Sequence, residues 1–279
     1  MAYPTVSAPY GFKPINLIGG LPFAGATRQL PIVYNYATNI FFGDFVSVLR
    51  GQIGRLAVTT AGGGAGMIGV FLGCTYTDPV RKQKLFSQYW PASTLAGDAM
   101  AYVSDDPNAL YRAAVVTTQG GTTIGSVCPA LVGQNLTASD LAGSTTTGDS
   151  SNGIFWTTTT TTITYPLRLV DVVRDTALSL GTATYSSIST ATITTTANVT
   201  FAIPIGTAVF WIASNGQLVD TASYVVTAVA ANNTTSVVLN AAPLATIGAA
   251  ATLVFVQYQE GIVKINSPGF LEYQTATAV

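Results

Sequence analysis

Catalysis and metal binding need side chains that ionise, attack or coordinate, and this 279-residue sequence is sparing with all of them. It contains no histidine, which removes Ser-His-Asp and Cys-His nucleophile systems and the commonest metal ligand together. Its two cysteines, Cys74 and Cys128, lie far apart in sequence and cannot form a Cys/His zinc set. They read either as small buried hydrophobes or as a disulfide pair. The only glutamates are Glu260 and Glu272, so a paired-carboxylate mechanism would have to draw on aspartates. The densest acidic cluster is Asp105-Asp106-Pro107-Asn108, which lacks the alternating oxygen ligands of a calcium loop and reads as a turn between strands. One glycine pattern, Gly64-Ala-Gly-Met-Ile-Gly69, matches the dinucleotide fingerprint. That fingerprint works only where its glycines open a helix whose N-terminus holds a pyrophosphate. Here Val70-Phe-Leu-Gly-Cys-Thr-Tyr-Thr77 follows, β-branched and aromatic, so the pattern is a glycine-rich hairpin loop. No catalytic residue, cofactor site or metal site is expected, and the chain is read as a non-enzyme with a structural or binding role.

The elements that would position such a role are strands. Runs bounded by Gly, Asn, Asp and Pro recur at 44–49, 55–60, 67–77, 99–104 and 111–118. The threonine run within 152–165 is a further strand, because threonine is β-branched. Short helical turns are expected at 78–89 and 137–143, with Asp78 and Thr137 as N-caps. Residues 195–258 give several more strands in an almost chargeless stretch. The expected fold is all-β: a β-barrel or β-sandwich body over 39–178 together with 259–279, an extended N-terminal arm over 1–38, and a second β-sandwich inserted over 183–258.

Composition points to a partner. Charged residues make up 8% of the chain and hydrophobic residues 48%, with mean hydropathy +0.43. A typical soluble domain carries about 25% charged residues. A surface so poor in charge has little colloidal protection unless it is packed against other chains. The most apolar window, 244–256, is shorter than the roughly 20 residues a spanning helix needs, so no membrane partner is expected. The net charge of −1 gives no case for nucleic acid. The first residues show neither a basic nor an apolar leader region, which predicts a product retained in the cell that makes it.

The arm sharpens this. Between Ser7 and Ile32 stand Tyr10, Phe12, Pro14, Ile15, Leu17 and Phe23, with Lys13 and Arg28 as the only charges. The apolar content calls for burial, yet Pro9, Pro14, Pro22 and Pro31 forbid a long helix. The segment therefore reads as an extended clamp, disordered when free and ordered on a partner. Its binding residues would be Tyr10, Phe12, Pro14, Ile15, Leu17 and Phe23, with Arg28 as a charge-assisted contact. About 25 extended residues reach some 80 Å, enough to cross from one subunit to the next.

The arm Ala8-Pro-Tyr-Gly-Phe-Lys-Pro-Ile-Asn-Leu17, then Gly43-Asp-Phe-Val-Ser-Val48, then Gly69 to Pro79, then Ala96-Gly-Asp-Ala-Met-Ala-Tyr-Val-Ser-Asp-Asp-Pro107, resembles the head-decoration or cement proteins of tailed bacteriophages. The inserted segment, with Phe201-Ala-Ile-Pro204 and Val209-Phe-Trp-Ile-Ala-Ser-Asn-Gly216, is similar to the small β-sandwiches of phage fibres and capsid protrusions. The resemblance implies a virion protein on the outer surface of the capsid, bridging major capsid protein subunits, with self-association as a trimer. The competing expectations are a tail or fibre component and a carbohydrate-binding module that uses Tyr89, Trp90, Trp156 and Trp211 as stacking platforms.

Overall fold

The computed structural model describes residues 5–59, 64, 66–160, 165–219, 224–228, 234–242 and 251–266. The chain is all-β, as its period and composition predict; among the described residues the single helical element is a 3-10 turn at Pro129–Leu131. It divides into two compact units, residues 8–122 with 133–170 and 262–279, and residues 1–7 with 123–132 and 171–261.

The first unit holds two sheets. In one, β8 (Ala109–Val116), β10 (Gly153–Thr160), β9 (Asn135–Ser139), β11 (Leu167–Val172) and β18 (Glu260–Ile265) follow one another, and a further pairing of β18 with β8 closes the ring into a barrel. Its interior is apolar: Val115, Leu136, Ile154, Leu167, Leu169 and Val263 are almost fully buried. β1 (Lys13–Leu17) adds to β8 antiparallel. The second sheet runs β2 (Arg28–Pro31), β7 (Met100–Ser104), β5 (Met67–Thr77), β3 (Phe45–Leu49) and β4 (Gln52–Arg55), with β6 (Lys84–Ser87) on the far half of β5. A parallel bridge from Ile32 to Ile53 curls this sheet back on itself around Ile40, Val46, Ile53, Phe71, Trp90 and Val103.

Local sequence explains where the strands break. β3 and β4 are joined by Arg50-Gly51, both at positive φ (53° and 78°), which is the two-residue turn whose twist matches a hairpin. That turn moves β4 to Gln52–Arg55, whereas the sequence predicts a strand over 55–60; Leu56 to Thr59 continue outside it. The expected helical turns are absent. Asp78 does accept backbone N–H bonds from Val80 and Arg81, but it closes the turn between β5 and β6. Thr137 lies in β9 and donates its hydroxyl to the Phe155 carbonyl. Propensity suggested caps there, and cross-strand pairing overrode it. The threonine run begins as β10, and residues 161–164 lie outside the described residues.

The second unit is built around the inserted segment. β12 (Ala177–Ser189), β13 (Thr192–Val199), β14 (Ala208–Ile212), β15 (Tyr224–Val225), β16 (Thr234–Val238) and β17 (Thr252–Tyr258) form one sheet in the order β15-β14-β17-β12-β13-β16. A bridge from Val226 to Leu239 brings its two ends together. Trp211, Tyr224, Val209, Leu253 and Phe255 fill the interior, with the Trp211 and Tyr224 rings edge-to-face at 4.7 Å. The unit starts earlier than expected, at Asp171, and recruits residues 123–132 as well. There Ser126 Oγ donates to the Gly206 carbonyl (3.0 Å), and Gln257 Nε2 donates to the Gly125 carbonyl (2.7 Å). Truncating Trp211 to alanine should lower the stability of this unit by about 3–5 kcal/mol, read as a shift of the unfolding midpoint in urea.

Candidate partner-binding surface

The N-terminal segment sits on the first unit, where the sequence predicts a clamp lying off it. Gly11, at φ +80°, donates its N–H to the Asn152 carbonyl (3.0 Å), and Phe12 donates to the Gly43 carbonyl (3.1 Å). The two glycine backbones approach so closely that a Cβ on Gly11 would come within 3.1 Å of the Gly43 Cα. This contact delivers Phe12 into the core, fully buried against Phe45 with ring centroids 4.5 Å apart. Pro14, Ile15 and Leu17 lie in β1 and are half-buried, and Pro14 precedes the irregularity in the β1–β8 register, where a missing N–H is tolerated. Tyr10 is half-buried under Lys13, whose Nζ stands 5.0 Å from the ring centroid.

Arg28 opens β2 opposite Val103 and forms an ion pair with Asp105 at 2.8 Å. Its charge therefore has a partner within the chain, while 44% of the side chain remains exposed. The segment docks on its own body because β8 and β7 offer it strand edges at intramolecular effective concentration. Its glycines and prolines mark turns in that path.

The part that stays outside is the loop from Ile18 to Thr27. The Leu17 N–H donates to the Leu21 carbonyl (2.8 Å) and the Ile18 N–H to the Asn108 carbonyl (2.9 Å), so the loop's near end is tied down. Ile18 and Leu21 nevertheless expose 47% and 64% of their surface, and Phe23 is half-buried. Of the predicted site residues, the structure buries Phe12, half-buries Tyr10, Pro14, Ile15, Leu17 and Phe23, and pairs Arg28. The apolar groups facing outward are their neighbours.

The first unit also holds a buried charge network. Asp44 is fully buried, and its carboxylate accepts from Ser150 Oγ (2.6 Å), Asn152 Nδ2 (3.0 Å), the Phe41 N–H (2.9 Å) and Arg55 Nε (3.0 Å). Arg55 also reaches Asp140 and the Leu141 carbonyl. Burial pushes the Asp44 carboxyl above its ordinary value of 3.8, and Arg55, Ser150 and the Phe41 amide pull against that rise. For Arg55, burial works against the charge, but Asp44 and Asp140 outweigh it and raise the guanidinium pKa. These partners occupy both carboxylate oxygens of Asp44, so the cluster reads as a tie and offers no free base.

Of the other candidates, the side chain of Trp156 lies outside the described residues, and the rest are interior or self-satisfied. Trp90 and Trp211 are buried to 0% and 1% exposure and cannot serve as stacking platforms, while Tyr89 stacks on Phe41 at 5.6 Å. Cys74 and Cys128 are free and buried, and burial pushes both thiols up to about 12. Asp106 caps its own turn by accepting the Asn108 N–H (2.7 Å). A groove of about 610 Å³ is lined by Lys13, Phe42, Phe86, Gln88, Tyr102 and Asp149 among others. Its carboxylate is already engaged, accepting from Gln88 Nε2 at 3.0 Å and facing Lys13 Nζ at 3.7 Å.

The β5–β6 hairpin is the surface that sequence reasoning missed. Val80 and Phe86 there expose 86% and 77% of their surface, in a stretch read from its Asp-Pro start as a helical turn.

No family model, curated protein or solved structure matches this chain. Among the described residues no helix is long and apolar enough to cross a membrane, and no group of three or more potential metal ligands comes together.

Two outcomes follow from this geometry. Phe12→Ala should cost about 3–5 kcal/mol in global stability, since it empties a core position. A variant as stable as the parent in denaturant titration would show the segment to be dispensable to the fold. Arg55→Met should cost about 3–5 kcal/mol near neutral pH, because it strands a buried carboxylate. With Arg55 gone the Asp44 pKa in the folded state rises further, while in the unfolded chain it stays ordinary. Between those two values the folded state holds the extra proton. The variant therefore loses stability as pH rises through that window and recovers part of it toward pH of about 4, measured by thermal melts across pH.

Proposed function

We propose that the chain is a virion structural protein that decorates the outer surface of a tailed-phage capsid and stabilises it by bridging major capsid protein subunits. The observation that carries this reading is the loop Ile18–Thr27, which holds Ile18 and Leu21 in solvent on a segment anchored at both ends by strands. Apolar groups displayed in this way mark an interaction surface. The low charge supports the same reading, because a chain with 8% charged residues is better suited to a packed assembly than to free solution. So does the likeness of sequence texture to decoration proteins over the N-terminal segment and the strands after it.

In this role the chain binds and does not catalyse. The clamp differs from the flexible tether its sequence suggests: the segment is pre-ordered on its own unit by β1 and β2, so binding does not have to order 25 or so residues at about 1–2 kcal/mol each. Its partners are the capsid subunit and further copies of itself, and its place is the capsid exterior.

Two measurements test the reading. In purified virions the copy number of this chain should track that of the major capsid protein, whereas a number set by the tail would overturn the assignment. Ile18→Asp combined with Leu21→Asp should leave folding intact and weaken capsid binding by about a hundredfold, since each exposed side chain contributes some 1.5 kcal/mol or more on burial. Undiminished binding in a co-sedimentation assay would count against the loop.

A further inference from the structure

The hairpin joining β5 to β6 concentrates the charge that the rest of the chain avoids. Between Asp78 and Ser87 stand Arg81, Lys82 and Lys84 against the single acid Asp78, a local charge of +2. Because the whole chain is −1, the remainder carries −3.

The turn is rigid. The Asp78 carboxylate accepts the N–H groups of Val80 (2.8 Å) and Arg81 (3.2 Å), and the Asp78 N–H donates to the Gln83 carbonyl (2.8 Å). The Lys82 N–H returns to the Asp78 carbonyl at 2.9 Å. At its base, Thr77 is pinned by Asp98 through its N–H (3.0 Å) and its hydroxyl (2.6 Å). A surface fixed in advance loses little conformational freedom on binding.

Along β6 the side chains alternate. Leu85 packs on the core beneath, which leaves Lys84 and Phe86 together on the outer face. Phe86 and Val80 are the two most exposed large hydrophobics among the described residues. Among the described strands β6 pairs only with β5, so its other edge stands open.

Cations on an open edge can serve merely to prevent edge-to-edge association. That role accounts for Lys84. It does not account for Phe86 two positions along the same face, or for Val80 at the tip, because an edge being shielded gains nothing from displaying large apolar groups. An anionic bilayer would satisfy the charges and the apolar groups but leave the open backbone edge of β6 without hydrogen-bond partners. A protein strand satisfies all three.

We infer that the β5–β6 hairpin docks by strand addition onto an acidic strand edge of the capsid subunit. The inference rests on the decoration reading and names the contact within it. β6 supplies the backbone ladder, Phe86 and Val80 supply the apolar anchors, and Arg81, Lys82 and Lys84 face the partner's carboxylates.

The test uses the full chain and capsids assembled without it, co-sedimented over a salt series. The parent chain binds with an affinity that falls as salt rises. The triple variant Arg81→Gln, Lys82→Gln, Lys84→Gln binds about tenfold more weakly at low salt and loses most of the salt dependence. Phe86→Ala weakens binding about tenfold or more at every salt concentration. Both variants change exposed side chains and keep the parent's thermal midpoint, and amide exchange along Lys84–Ser87 slows when the parent chain is on the capsid. If the parent binds and the variants bind equally well, the hairpin assignment is overturned while the decoration reading stands. If the Gln variant self-associates yet keeps parental capsid affinity, the cations only shield the edge and the assignment is likewise overturned. Preference for anionic phospholipid vesicles over capsids overturns it in favour of a membrane contact. Failure of the parent chain to bind capsids overturns both.

Discussion

The buried ion network centred on Asp44 is the constraint on which the first unit depends. One carboxylate draws together the approach to β3, the end of β4 through Arg55, and the loop carrying Ser150 and Asn152. Asn152 passes the connection on: its side chain accepts the Leu141 N–H at 2.9 Å and its carbonyl accepts the Gly11 N–H. The N-terminal segment is thus tied to a charge it never touches. Such a network is a weak source of net stability, because desolvating the ions offsets much of their attraction. Its effect is on geometry, since any displaced member leaves a buried charge unanswered and alternative packings of these loops are disfavoured.

That geometry changes what the N-terminal segment is. A free arm would have to offset its ordering cost at the moment of binding. Docked through β1 and β2, the same residues meet that cost within folding, where Phe12 gains a full core position against Phe45. Only the connector between the two strands is left with apolar groups in water. The apparent excess of hydrophobic residues in the segment resolves into a buried half that builds the unit and an exposed remainder, Ile18 and Leu21, that faces outward.

Strand identity was legible where β-branched and aromatic runs stand between turn residues. β5, β7 and β8 fall close to their predicted positions for that reason, although β5 and the second half of β8 are buried almost throughout and do not alternate. In the second unit β14, β16 and β17 fall within the stretch 195–258 that was read as strand-rich. What local pattern cannot carry is pairing over long separations. The parallel contact of β10 with β8 and the recruitment of residues 123–132 beside β17 depend on partners far away in sequence. The site was read least well. Apolar content marked residues 7–32 correctly as wanting burial, but it could not say that the burying surface was the chain's own. The hairpin escaped notice because Asp78-Pro79 gives the same local signal for a helix cap and for a capped turn.

The two units handle water differently, and this bears on where a partner can be met. On the long strands β12 and β13 most exposed positions are hydroxyls, among them Ser179, Thr182, Thr184, Ser186, Thr194 and Thr196, while Tyr185 and Ile193 turn inward. Hydroxyls hydrate a β surface at little cost in strand propensity, but they give no long-range repulsion between molecules. Such a surface tolerates close neighbours without steering toward any of them. Net charge also differs between the units: in the first, the hairpin holds Arg81, Lys82 and Lys84, while in the second Asp171, Asp175, Asp220 and Glu260 stand against Arg174 alone.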